Sequence, residues 1–439
     1  MQIDRSLLTA AVALLGMGTS GAYAATEIQW WHAMSGQLGE KTNEIAASFN
    51  AQNQDYRVVP VYKGDYTETL TAAVAAFRAG EPPHIVQVFE VGTATMMAAA
   101  EAIYPVHQLM ADLAIEWDPD AYLPAVKSYY TTPGGELLSL PFNSSTPVLW
   151  YNKDAFAAAG LDPESPPETW AEVEQAGKAV QESGMPCGLS VGWQSWVLIE
   201  NESAWHNQPV ATLANGFEGL GTQLVFNQND VVPRLVGQLA EWQKTKLFDY
   251  GGRRGDSLPK FTTGECAMWI NSSAYYGGIK EQAGFDFGIA MLPRYEDLPD
   301  APQNSIIGGA TLWVLAGHDD EAYRGVGAFF NYLSSAEVQA DWHQSTGYVP
   351  ITTAAYELSK EQGFYEKNPG TDTAIQQLSL NPPTDNSKGL RLGNFVQIRD
   401  VINDELEAVW AGQKEPQKAL DDAVEQGNDL LRRFERANS

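Results

Sequence analysis

Glu27-Ile28-Gln29-Trp30-Trp31, with the segments Leu38 to Asn50, Arg57 to Tyr62, Thr67 to Arg78 and His84 to Phe89 that follow it, decides the fold class. The quoted stretch reads as a short strand. Leu38, Ile45 and Phe49 then fall on one face of a helix, and Arg57 to Tyr62 is a second strand. The next helix is expected to bury Leu70, Val74 and Phe77 and to stop at Gly80. His84 to Phe89 is apolar enough to be a strand covered on both faces. Strands alternating with helices predict an α/β domain with a largely parallel sheet. Ligands of open α/β sheets bind beyond the carboxyl ends of the strands. Here those ends carry Trp31 and His32, then Gly64 to Tyr66, then Glu90.

A second α/β unit is expected from residue 141. Pro141-Phe142-Asn143-Ser144-Ser145-Thr146-Pro147 is held extended by its prolines and reads as a crossing between domains. Val148 to Tyr151 is a strand, Thr169-Trp170-Ala171-Glu172 a capping box that opens a helix, and Cys187 to Val191 another strand. Cys266 to Ile270 runs into Asn271-Ser272-Ser273, a strand end meeting a helix start. The strands Phe287 to Met291 and Thr311 to Leu315 are expected to return to the first domain. Gly347-Tyr348-Val349-Pro350 reads as the last crossing, and a long helix over Pro416 to Arg436 ends the chain. The expected layout is a segment 1–24 outside the fold, one lobe over 25–140 and 285–342, and a second over 141–284 and 343–439.

The opening segment has the features of an export signal. The uncharged run Leu7 to Met17 is far shorter than the roughly 20 residues of a bilayer span, and Ala22-Tyr23-Ala24 offers small residues to a signal peptidase. A mature chain starting near Ala25, free in the periplasm, is expected. More than 400 residues exceed what one core accommodates, so two domains are expected. Asp and Glu total 55 against 27 Lys and Arg, a formal net charge of -28, which argues against nucleic acid as a partner. Any phosphate ligand would need a few local donors, such as backbone N–H groups and an arginine.

No zinc-ligand spacing, phosphate-cradling glycine loop, dinucleotide fingerprint or EF-hand loop occurs, so no metal or cofactor is expected. Gly188-Leu189-Ser190-Val191-Gly192 matches the nucleophile-elbow pattern of esterases. A nucleophile must sit at a sharp turn from strand to helix, whereas Leu189 to Val191 reads as the strand itself. The two cysteines, Cys187 and Cys266, permit one disulfide in an oxidising compartment or two buried thiols on neighbouring strands.

Whole phrases carry a resemblance. Tyr151-Asn152-Lys153-Asp154-Ala155-Phe156, Ala159-Gly160-Leu161-Asp162 and Pro166-Pro167-Glu168-Thr169-Trp170 resemble the solute-binding proteins of ABC importers. Trp31 to Gly36, Glu90 to Met97, Pro141 to Pro147, Gly308-Gly309-Ala310, Gly347 to Pro350, Gly363 to Gly370 and Gly389 to Asn394 are similar to the family's periplasmic sn-glycerol-3-phosphate-binding members. The resemblance implies a two-domain Venus flytrap of type II with interleaved lobes, which binds without catalysis. Its implied ligands are sn-glycerol-3-phosphate and glycerophosphodiesters such as glycerophosphocholine. The implied partners are an inner-membrane permease and its ATPase, with the binding protein acting as a monomer.

The family's polyol-side residues fall on Tyr66 and Glu90, with Trp193 and Trp196 as an aromatic wall. Its phosphate-side residues fall on Ser145, Ser272, Gly309, Tyr348 and Arg399. The residue types suit that division. A carboxylate accepts glycerol hydroxyls and repels phosphate, Ser272 sits where N–H groups are free, and Arg399 brings a full positive charge. Taken singly each has a plainer reading: Glu90 as a solvated strand end, the serines as caps, the tyrosines as packing, the tryptophans as core on one helix face, Arg399 as a surface ion-pair partner. An oligosaccharide-binding protein is the alternative reading; it would use aromatic stacking and carboxylates and would not need Ser145, Ser272 and Arg399 together.

Overall fold

A computed structural model describes residues 25–439, so the leader expected over 1–24 lies outside the described residues. Among the described residues, ten strands form two mixed sheets. The first runs β2-β1-β3-β10-β4, with β1 at Thr26–His32, β2 at Tyr56–Tyr62, β3 at Ile85–Phe89, β4 at Ile103–Tyr104 and β10 at Gly308–Leu315. β5, Leu140–Ser145, pairs with β10 as well. The second sheet runs β7-β8-β6-β9, with β6 at Pro147–Asn152, β7 at Cys187–Val191, β8 at Cys266–Ser272 and β9 at Phe287–Ala290. The fold is thus α/β with two sheets.

Three expectations about the sheets are corrected. Only β1, β2 and β3 are mutually parallel; β10 lies antiparallel to β3, β4 and β5, so the first sheet is mixed. The segment from Pro141 does not leave the first sheet, because Leu140–Ser145 pairs along β10 from Gly308 to Leu312. The chain crosses at Thr146, and Pro147 then opens β6. Phe287–Ala290, expected in the first sheet, hydrogen-bonds to β6 in the second, and the return comes only at Gly308. Apolar packing is continuous through these crossings: Trp150 and Trp269 share a core with Trp30 and Phe142.

Local chemistry explains the helices around the cleft. Asp65 caps the helix Tyr66–Ala79 with a complete capping box to Glu68, and Gly80 ends it in the left-handed conformation. That helix buries Thr69, Leu70 and Ala73, whereas Val74 and Phe77, expected inside, are 36% and 37% exposed. Its contact with the sheet is narrower than an apolar tally implies. Cys187 and Cys266 are neighbours in the parallel β7–β8 pair and are joined as a disulfide. The C-terminal helix spans Pro416–Asn438 and packs on the helix Phe395–Trp410. No helix among the described residues is long and apolar enough to cross a membrane.

Candidate functional site

All nine residues expected at the site line one cavity of about 360 Å³ between the two sheets. From the first sheet come Glu90, just past β3, and Tyr66, at the start of its helix. Tyr66 stacks on Phe89 with ring centroids 5.2 Å apart. Its hydroxyl accepts a hydrogen bond from Asn143 Nδ2 at 2.9 Å, and Asn143 Oδ1 in turn accepts from Gln87 Nε2 at 2.7 Å. A buried amide relay across β3 and β5 therefore fixes the phenol. Burial pushes the Tyr66 and Tyr348 hydroxyls above their ordinary pKa, so both remain donors. The end of β1 differs from expectation: Ala33 and Met34 line the cavity. His32 is buried beneath it, and burial lowers its pKa to about 4, so the ring is neutral.

The crossings supply the hydroxyls. Ser145 ends β5 and Ser272 ends β8, and Ser272 Oγ donates to Ser145 Oγ at 2.8 Å while accepting from the Ala274 N–H at 3.1 Å. Gly309 has φ +111°, and a β-carbon there would lie 2.1 Å from the Asn143 carbonyl oxygen, so only glycine fits. Its N–H donates to Glu90 Oε2 at 3.2 Å. At Gly308 a β-carbon would strike the Trp196 ring at 2.6 Å. Tyr348 stacks on Trp342 at 5.5 Å.

The plainer reading of the two tryptophans, core packing on one helix face, does not hold. Trp193 has φ +46° and stands outside any helix, while Trp196 belongs to a π-helix over Ser195–Asn201. Wide helical turns of this kind recur at functional sites. Trp196 Nε1 is buried without a hydrogen-bond partner among the described residues. The same π-helix supplies Glu200, which sequence reading missed.

Arg399 is the main electrostatic correction. Expected as a free positive charge, it is only 6% exposed. It donates from Nε and Nη2 to the two Glu200 oxygens at 2.6 and 2.7 Å, and lies 2.6 Å from Glu90. Burial alone would depress the guanidinium pKa, yet the Glu200 and Glu90 carboxylates hold it above its ordinary value. Burial raises the Glu200 carboxyl, and Arg399 opposes that shift. One cation against two anions leaves this cluster with a net negative charge when both acids are ionised. Sequence pattern gave no cue to Glu200, because a glutamate in a run such as Val197-Leu198-Ile199-Glu200-Asn201 carries no recognisable spacing.

Two further charged residues line the cavity. Arg254, from the loop between the helices Val232–Thr245 and Leu258–Thr262, forms an ion pair with Asp65 at the N-cap of the first-sheet helix. Gly251-Gly252-Arg253-Arg254-Gly255 is a glycine-bracketed arginine pair, a signal that was present in the sequence. The esterase pattern is not a turn. Ser190 lies fully buried inside β7 and donates to the Asp249 carbonyl at 2.8 Å. No group of three or more His, Cys, Asp or Glu among the described residues is placed to hold a metal ion.

The profile of the bacterial extracellular solute-binding proteins matches residues 44–373. The chain belongs to this family. As a solute-binding protein it is 51% identical over 431 residues to the sn-glycerol-3-phosphate-binding periplasmic protein UgpB of Escherichia coli K12, covering 98% of each chain. It is likewise 51% identical over 428 residues to the protein of that name from Yersinia pseudotuberculosis, covering 97% of each. Among solved structures, UgpB of Mycobacterium tuberculosis in complex with glycerophosphocholine superposes with a TM-score of 0.78 at 20% identity, over 93% of this chain and 99% of that one. Maltose-bound MalE3 of T. maritima superposes with a TM-score of 0.74 at 19% identity, over 93% of this chain and all of the other. These two superpositions establish the two-lobed solute-binding fold.

Proposed function

We propose that this protein is the periplasmic binding component of an ABC importer. It captures sn-glycerol-3-phosphate and glycerophosphodiesters such as glycerophosphocholine, and delivers them to an inner-membrane permease and its ATPase. The observation that carries the reading is the 51% identity, over nearly the whole length, to sn-glycerol-3-phosphate-binding periplasmic proteins. The cavity suits that ligand: the hydroxyls of Ser145, Ser272, Tyr66 and Tyr348 line it together with the carboxylate of Glu90.

In this reading Tyr66 and Glu90 receive the glycerol hydroxyls, and Trp193 and Trp196 flank the carbon chain. Ser145, Ser272 and Tyr348 meet the phosphoryl group, and Arg399 and the Gly309 backbone, whose donors already hold Glu90 and Glu200, border it. Ligand touching both lobes shifts the population toward the closed form, which is the state presented to the permease. The protein binds without turnover and acts as a monomer. An importer scavenging dilute substrate needs a Kd of roughly micromolar, equivalent to about -8 kcal/mol. Calorimetry on ligand-free protein is expected to show binding of sn-glycerol-3-phosphate or glycerophosphocholine with maltose silent. Maltose binding with both phosphates silent would replace this reading with an oligosaccharide-binding one.

A further inference from the structure

We infer that Arg254 is a second phosphate-binding residue, held off the ligand by Asp65 until the ligand arrives. The inference rests on the glycerophosphate reading above. Two cationic side chains line the cavity, Arg399 and Arg254. Arg399 is committed to Glu200 and Glu90, so that cluster offers an entering phosphate no net positive charge. The balancing cation must come from elsewhere on the wall.

Arg254 meets that need. Its one ion-pair partner among the described residues is Asp65, and the two side chains are 42% and 35% exposed. A solvent-screened pair of this kind contributes little to stability, so exchanging one anion for another costs little. Asp65 is not stranded by the exchange, because it also accepts the Glu68 N–H at 2.9 Å as the helix N-cap. The hydrogen bonds around Asp65 thus allow it to release the guanidinium without losing its place.

The backbone points the same way. Arg254 is a non-glycine residue at φ +55°, and Trp193, whose N–H donates to the Arg254 carbonyl at 2.9 Å, stands at φ +46°. Asn271 Nδ2 donates to the same carbonyl at 3.3 Å, one residue before Ser272. Left-handed conformations at such residues are strained and persist where the site requires the side chain. Glycine is present at positions 251, 252 and 255 but absent at 254, where the strain is found. Arg254 also borders a second chamber of about 280 Å³ that shares Trp193 and Arg399 with the first, so its charge reaches the ligand from the mouth.

The test compares wild type, Arg254→Gln and Asp65→Asn by titration calorimetry with sn-glycerol-3-phosphate at low salt. Asn keeps the helix cap while removing the competing charge. Arg254→Gln is expected to weaken binding about 10- to 100-fold, the scale of one charge-assisted hydrogen bond. Asp65→Asn is expected to bind at wild-type affinity or tighter. Wild-type affinity in Arg254→Gln, or weaker binding by Asp65→Asn, would overturn the inference and leave the pair as a latch between lobes. If Arg254→Gln loses its cooperative melt, Asp65→Asn decides alone. A wild-type protein silent to the ligand would reject the functional reading itself, a pattern distinct from any change confined to a variant.

Discussion

Two arginines face one cavity, and they are held in opposite ways. At the floor, Arg399 is buried, gripped in a fork by Glu200 and reached by Glu90 from the other sheet. At the mouth, Arg254 is half in solvent and has one carboxylate partner among the described residues. The floor is a rigid, pre-paid arrangement: its charges cannot be removed singly without leaving another buried and uncompensated. The mouth is adjustable, because water screens both members of its pair. A binding protein that must hold its ligand and later release it needs both kinds of contact.

The largest effect that could break this contrast is Arg399→Met. It leaves Glu90 and Glu200 buried without their cation, and a stability loss of about 3–5 kcal/mol is expected in denaturant unfolding. Binding should be lost at the same time. A variant of wild-type stability would show that the floor is not a buried charge cluster. Next is Gly309→Ala, whose β-carbon meets the Asn143 carbonyl and whose φ is left-handed. It should cost about 1–3 kcal/mol and weaken binding, since the strand carrying Ser144 and Ser145 must shift. Unchanged melting and affinity would mean that the close approach of β10 and β5 is not fixed.

At the mouth, Arg254→Gln should change stability by less than about 1 kcal/mol, far below the floor variant. Equal losses at both arginines would erase the contrast. The smallest effect is pH-dependent. The Glu68 N–H and Arg254 hold the Asp65 carboxyl below its ordinary range despite the opposing effect of burial. Its stabilisation is therefore present above the ordinary carboxylate pKa and is lost as pH falls through the depressed value. The melting-temperature difference between wild type and Asp65→Asn should vanish under acid conditions. A difference that grows with acid would contradict this sign.

The α/β class was legible because alternation of strand and helix is written in short-range apolar spacing, as in Ile45 and Phe49 or the wholly buried β3. Strand partnership was not. Phe287–Ala290 lies in the other sheet from the one expected, and Leu140–Ser145, expected as a crossing, is a strand of the first sheet, since pairing is decided by contacts far away in sequence. Tyr66, Glu90 and the serines could be placed because they stand at strand or helix ends. Glu200 and the commitment of Arg399 were invisible, because an ion pair between residues 199 positions apart leaves no local pattern. The exposure of Val74 and Phe77 has the same origin: periodicity tells which face is apolar, and only the tertiary contact tells how wide a strip is covered.

The central claim, a glycerophosphate held between the lobes, is tested most directly by a crystal structure of the protein with sn-glycerol-3-phosphate. The ligand is expected in the cavity between the sheets, its glycerol hydroxyls on Glu90 and Tyr66 and its phosphoryl group on Ser145, Ser272 and Tyr348. A ligand bound elsewhere, or with its phosphoryl group against Glu90, would contradict it.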